Sequence, residues 1–167
     1  MIVLRVATPD DLPWIMTQER RPEFAAYIHR SSEAQHRQRM SDPDRVYLIA
    51  EDENGIGRGF VLLAGRQAGE GGIELARMAV TEPGQGLGAA LLSALIDWIM
   101  NELEPTRIWL DVFEDNERAR RAYRRAGFVE TGRLPDPVER PDGTAAHLLL
   151  MDYRPDTSDG PAISRSA

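Results

Sequence analysis

Cysteine is absent from the 167 residues, which removes disulfides, thiolate nucleophiles and zinc–cysteine sites. Lysine is absent as well: all 20 basic residues are arginine, so neither a Schiff base nor the phosphate-binding lysine of a Walker loop is available. Histidine is scarce. His29, His36 and His147 show no metal-ligand spacing, and no metal is expected. No apolar run approaches the roughly 20 residues of a membrane helix. The opening MIVLRVATPDD turns acidic too early for a signal peptide, so a cytoplasmic protein with no membrane partner is expected. The formal charge of -7 disfavours nucleic acid and favours a cationic partner.

What is present reads as one globular domain over 1–154, with 42% hydrophobic and 28% charged residues. Residues 155–167 are polar and short of large apolar side chains, and are expected to form a disordered tail. The pattern predicts a strand at 2–6, then a helix opened by Thr8-Pro9-Asp10-Asp11. A second helical stretch is expected over 23–40, broken at Ser31-Ser32. Strands at 45–50 and 59–64 flank the turn dipeptide Asn54-Gly55 and should pair as a hairpin. After a glycine-rich loop at 69–72 come a strand at 73–80, an apolar helix at 87–103, a strand at 107–113, a helix at 116–126 and strands at 128–132 and 147–153. The order is β-α-α-β-β-β-α-β-α-β-β: an α/β chain with a mixed, mostly antiparallel sheet of six or seven strands and four helices.

Between strand and helix stands Gly84-Gln85-Gly86-Leu87-Gly88-Ala89. Small residues there let backbone N–H groups turn toward an anion at the helix N-terminus, and a diphosphate is the natural guest. A tight turn without a ligand is the alternative. The spacing also fits the dinucleotide pattern G-x-G-x-x-A, with Asp111 as a ribose acid, but the loop lies mid-chain after an antiparallel hairpin, where a dinucleotide domain would open with it.

Downstream, Leu110-Asp-Val112 is followed by Asn116, Ala119, Tyr123, Gly127 and Phe128, whose helical members share one face. Together with Val80 through Leu92, this pattern resembles the GNAT superfamily of N-acetyltransferases across roughly 2–153. Within it, the stretch from Trp109 to Ala119, with Gly132, Asp142-Gly143 and Met151, is similar to the branch containing ribosomal-protein N-terminal acetyltransferases. The chain departs from the family at Pro83, which stands where the R/Q-x-x-G-x-G/A turn begins and offers neither a guanidinium nor an N–H.

The resemblance implies acetyl-CoA as cosubstrate, its diphosphate held by donors from Gln85, Gly86, Leu87, Gly88, Ala89 and Ala90. It implies an oxyanion-binding N–H among Met78, Ala79 and Val80, a base at Glu74, a thiolate-protonating hydroxyl at Tyr123, and contacts from Asn116 and Ala119 to the pantetheine arm. For Glu74 the alternative is a solvent-facing carboxylate or a pair with Arg77; for Tyr123, a core aromatic; for Asn116, a helix cap. Of the five arginines within 118–125, Arg118 or Arg121 is the expected contact for the 3'-phosphate, although such a run is commonly a solvated helix face. The acceptor would be a primary amine on a small molecule or a protein N-terminus, met by Glu19, Glu23 and Phe24, with Glu33, Asp42, Trp14 and Tyr27 nearby. A homodimer is compatible. The competing function is a non-catalytic acyl-CoA-binding module of the same fold.

Overall fold

In the computed structural model, which describes residues 1–67 and 71–155, β1 (Val3–Val6) is followed by a 3-10 turn at Pro9–Asp11 and by α1 (Leu12–Glu19). A second 3-10 turn at Pro22–Phe24 precedes α2 (Glu33–Ser41), after which β2 (Val46–Glu51), β3 (Gly57–Ala64) and β4 (Ile73–Val80) form an antiparallel meander. Then come α3 (Leu87–Glu102), β5 (Ile108–Phe113), α4 (Glu117–Ala126) and β6 (Phe128–Arg133). A small hairpin of β7 (Val138–Glu139) and β8 (Ala145–Ala146) leads into β9 (Leu148–Tyr153). Seven strands form one sheet in the order β1-β2-β3-β4-β5-β9-β6, with β4 at its centre. This is the expected mixed α/β architecture with four helices. The tail at 156–167, and part of the glycine-rich loop, lie outside the described residues.

Two boundaries differ from expectation for local reasons. The stretch expected over 23–40 breaks at Ser31-Ser32 as expected, but before the break only the 3-10 turn at Pro22–Phe24 forms; α2 starts at Glu33, where Ser32 caps it: Ser32 Oγ accepts from the Gln35 N–H at 3.2 Å and Gln35 Oε1 accepts from the Ser32 N–H at 2.9 Å. The hairpin of β7 and β8 has two-residue strands, too short for an alternation to show.

The sheet separates two cores. Under α3 and α4 the larger one gathers Leu48, Val61, Leu63, Leu75, Leu91, Leu92, Leu95, Ile99, Leu110 and Met151. On the side of α1 and α2 a smaller one gathers Leu12, Ile15, Tyr47, Ile49, Phe60, Leu62 and Ala79. α4 ends at Gly127, whose φ of 108° suits a residue without a side chain and where an added Cβ would stand 2.9 Å from Tyr153.

The feature that makes a site is the junction of β4 and β5. They run parallel but pair only at Ile73↔Ile108 and Glu74↔Trp109. Beyond these pairs no β5 residue lies in register with β4, although each strand continues for several residues along its other neighbour. A bulge adds to the separation: Leu62 faces Arg77 and Leu63 faces Leu75, so Ala76 is an extra residue in β4.

Candidate active site

The turn after β4 places Gly86 at the N-cap of α3 with φ 79° and no side-chain cap. Ala90 N–H is bonded within the helix, to Gly86 O at 3.2 Å. The N–H groups of Leu87, Gly88 and Ala89 belong to the first turn and have no intrahelical acceptor. Ala90 is therefore corrected as a donor: its N–H is already spent. A Cβ added at Gly84, Gly86 or Gly88 would meet nothing within 4 Å, so the surface beside the turn is open. Open backbone donors at the positive end of a sixteen-residue helix suit a diphosphate. From Ala89 a groove of about 260 Å³ continues between α3 and α4 to Arg125.

The split between β4 and β5 leaves polar backbone on the inner edge of β4. Successive residues of a strand point their N–H groups to opposite edges, so at least one of Met78, Ala79 and Val80 directs its donor into the split while the other edge stays paired with β3. Glu74 and Asp111 stand on the face of these strands opposite the larger core. Burial pushes the Glu74 carboxyl above its ordinary value, Asp111 pushes it further, and Arg45 pulls it partly back. Asp111 is itself raised by burial although its side chain is solvent-accessible, as expected of a group inside a cleft. Tyr123 projects from α4 against Phe128, with ring centroids 5.8 Å apart. Burial, then the charge of Asp111, push its phenol up to about 12, so the hydroxyl is held protonated at neutral pH.

Asn116 caps α4, its side-chain oxygen accepting from the Ala119 N–H at 3.4 Å. Its amide NH₂ makes no hydrogen bond among the described residues and is the part able to serve a ligand. Ala119, Ala122, Tyr123 and Ala126 pack on the larger core. The arginines divide by helix face. Arg120 and Arg124 bond Glu130 at 2.8 and 2.9 Å, and Arg120 also bonds Glu117. Arg118, Arg121 and Arg125, spaced i, i+3 and i+7, form no ion pair among the described residues and make one basic stripe.

On the acceptor side the expectations change. Glu19 is 1% exposed and hydrogen-bonded to His36 at 2.8 Å and Arg77 at 3.0 Å, so it is interior and cannot attract a cation from solvent. Glu23 is exposed and paired with Arg21 at 2.5 Å, Glu33 with Arg37 at 2.9 Å, and Asp42 with Arg45 at 3.4 Å. Phe24 and Trp14 pack against the smaller core, which makes Phe24 wall more than contact. Tyr27 meets Phe113 at 6.3 Å, and Arg140, ion-paired with Asp115, lies 5.8 Å from the same ring. Arg77 pairs with Glu19, not with Glu74. The carboxylates of the cleft are thus Glu74 and Asp111. Asp111 was readable only as a possible ribose acid; its signal was a charge in the middle of a strand whose neighbours Leu110 and Val112 are both buried. His36, Tyr47 and Arg77 left no local pattern. Among the described residues no group of three or more His, Asp or Glu is placed to hold a metal ion, and no helix is long and apolar enough to cross a membrane.

This fold and split define a class of acyl-group transferases, and the comparisons agree. The model of the Acetyltransferase (GNAT) family matches residues 14–128. The chain belongs to that family, whose donor is acetyl-CoA. Among curated proteins it is 36% identical over 78 residues to the kanamycin resistance protein of Rhizobium radiobacter, covering 47% of this chain and 68% of the other. Over 78 residues it is also 36% identical to the aminoglycoside N(6')-acetyltransferase type 1 of Klebsiella pneumoniae, 47% and 37%. With the spermine/spermidine N(1)-acetyltransferase of Bacillus subtilis (strain 168) it shares 43% over 51 residues, 30% and 34%. These matches span half of this chain or less, and just over a third of the two N-acetyltransferases. None of these three is named as a ribosomal-protein enzyme. Among solved structures, a spermidine N-acetyltransferase SpeG chimera from Vibrio cholerae and hSSAT superposes with a TM-score of 0.77 at 19% identity, covering 94% of this chain and 97% of the other. The Vibrio cholerae spermidine N-acetyltransferase in complex with CoA and spermine gives 0.74 at 21%, covering 90% and 94%. At these identities the likeness is one of fold.

Proposed function

We propose that the protein transfers the acetyl group of acetyl-CoA directly to a primary amine of a small polycationic molecule, a polyamine or an aminoglycoside. The observation that carries this reading is the early separation of β4 and β5, which puts open backbone donors, two carboxylates and a protonated phenol around one split. Bound acetyl-CoA supplies the activated acyl group. Leu87, Gly88 and Ala89 hold its diphosphate by their N–H groups, and Arg121 with Arg118 faces the 3'-phosphate. An amine of pKa about 10 arrives as an ammonium and must lose a proton to react. Asp111 and Glu74 attract that ammonium, and Glu74, whose proton affinity burial and Asp111 raise, takes its proton. The developing oxyanion meets the inward N–H of the Met78–Val80 stretch. Tyr123 donates its proton to the leaving thiolate. With no cysteine in the chain, a cysteine-linked acyl intermediate is closed.

The small-amine names of the matched relatives support this acceptor class over a protein N-terminus. The test is an acetyl-CoA consumption screen over spermidine, kanamycin, free amino acids and short peptides. Spermidine or kanamycin should turn over fastest, with rates falling as ionic strength rises. A peptide as best acceptor would establish the N-terminal reading instead. Acetyl-CoA that raises Tm without turnover of any acceptor would make the chain a binding module, and stabilisation by NAD alone would overturn the site. Tyr123→Phe should lower kcat by about 10²-fold or more while leaving acetyl-CoA affinity near wild type. Glu74→Gln should lose activity most at neutral pH and recover part of it at high pH, where more acceptor is already neutral.

A further inference from the structure

β4 carries two charged residues on the face toward α1 and α2, Glu74 and Arg77, and the bulge at Ala76 makes them successive residues on that face. A carboxylate and a guanidinium so placed ordinarily pair. Here they do not. Arg77 Nη1 donates to Glu19 Oε2 at 3.0 Å and reaches Ser31 Oγ at 3.5 Å. Glu19 is gripped from its other side: Oε1 accepts from the Ser31 N–H at 3.1 Å and meets His36 Nε2 at 2.8 Å, while His36 Nδ1 meets the Tyr47 hydroxyl at 2.7 Å. Glu19 and His36 are 1% and 0% exposed. Interior ionic and imidazole groups are unfavourable to bury, and no step of the transfer derived above uses either.

We propose that Glu19 is a positioning residue that holds Arg77 off Glu74, so that Glu74 remains a free base instead of half of an ion pair. This rests on the reading of Glu74 as the base. The charges acting on Glu74 are those of Asp111 from β5, which repels, and Arg45 from the segment before β2, which attracts; Arg77, on its own strand and turned to Glu19, is not among them. The charged groups facing Glu19 are His36 from α2 and Arg77; Arg39, also from α2, repels Arg77 and donates to Ser31 Oγ at 2.7 Å. With Arg77 turned to Glu19, the larger charge effect on Glu74 is the repulsion of Asp111, offset in part by Arg45. A released Arg77 would reverse that balance and keep Glu74 ionised to lower pH.

Glu19→Gln keeps the shape and removes the charge. Its one amide oxygen is already claimed by the Ser31 N–H and His36, so its NH₂ faces the guanidinium donor to donor. The readout is the pH titration of the Glu74 carboxyl carbon by NMR, assigned by its loss in Glu74→Gln, which needs no acceptor. Arg77→Gln should titrate close to wild type, Glu19→Gln lower by about one pH unit or more, and the double variant should return to the wild-type value. An unmoved Glu74 in folded Glu19→Gln, or a shift that survives in the double variant, overturns the proposal. Should Glu19→Gln not fold, Glu19→Asp carries the test: one methylene shorter, it loosens the Arg77 contact and should give a smaller downward shift, and no shift is again the overturning result. The acid limb of kcat/KM should follow the titration. If that limb persists in Glu74→Gln, the base assignment fails in the kinetics, while the titration decides the Glu19 effect separately.

Discussion

The two faces of the sheet are built from different materials. Beneath α3 and α4 the interior is apolar, from Leu48 and Val61 through Leu91 and Leu110, and the polarity for gripping an anion comes from main-chain N–H groups at the start of α3. Beneath α1 and α2 the apolar cluster is smaller and Glu19, Ser31 and His36 are buried beside it. Backbone donors need no charged side chain, so the donor side keeps a continuous hydrophobic core up to the edge of its site. The other face gives up apolar volume to a buried polar network, Glu19 with His36, Ser31 and Arg77, which takes no part in the proposed transfer itself and fixes where the Arg77 charge lies.

Four substitutions sharpen that contrast. Leu91→Ala on the apolar face should cost about 2–5 kcal/mol in denaturant unfolding, through lost transfer energy and a cavity, yet leave the pH profile of turnover in place. Gly86→Val should cost less, about 1–2 kcal/mol, because it forces a β-branched residue to positive φ where a Cβ meets no neighbour. It should nevertheless abolish the rise in Tm with acetyl-CoA, and a normal rise in the folded variant would place the cofactor elsewhere. The smallest effect separates two carboxylates on the polar face by sign. Burial raises Glu19, but hydrogen bonds from His36 and the Ser31 N–H, with the His36 and Arg77 charges, outweigh it and hold the carboxyl low. Its stabilisation is full above the unfolded pKa of about 4.3 and is lost as pH falls through the folded value. Glu74 is raised, so its cost to stability begins as pH rises through the unfolded value of about 4.3 and is full above the folded one. Glu74→Gln should therefore raise Tm slightly at pH 7 while lowering activity, and Glu19→Gln should flatten the acid side of the stability curve. A Glu74→Gln protein with a lower Tm at pH 7 would contradict the sign given to Glu74.

Legibility in the sequence follows the same division. The glycine turn, the cap at Asn116 and Tyr123 on one face of α4 lie within 40 residues in regular elements, where spacing reports position. All seven strands of the sheet and α3 were likewise readable, because Leu, Ile and Val alternate or recur at helical period. The acceptor side joins residues far apart in the chain. Glu19 meets Arg77 across 58 positions and His36 meets Tyr47 across 11, from different elements. An acidic residue in an early helix looks the same in sequence whether it faces water, as Glu33 does, or is enclosed, as Glu19 is. The bulge at Ala76 shifts which side Arg77 occupies, and nothing in the order of amino acids marks it.

Arg45 acts on Glu74 from beside the cleft, Arg77 stands on the same strand as Glu74, and all 20 basic residues of the chain are arginine. A guanidinium carries its charge permanently and is a poor nucleophile at neutral pH. A lysine at any of these places would bring a second amine to the edge of the split, close to where the acyl group is handed over. A chain with arginine alone steers and neutralises with groups that do not compete for the acyl group, so none of its own side-chain cations is a rival acceptor. Self-acylation at side-chain amines is absent by composition.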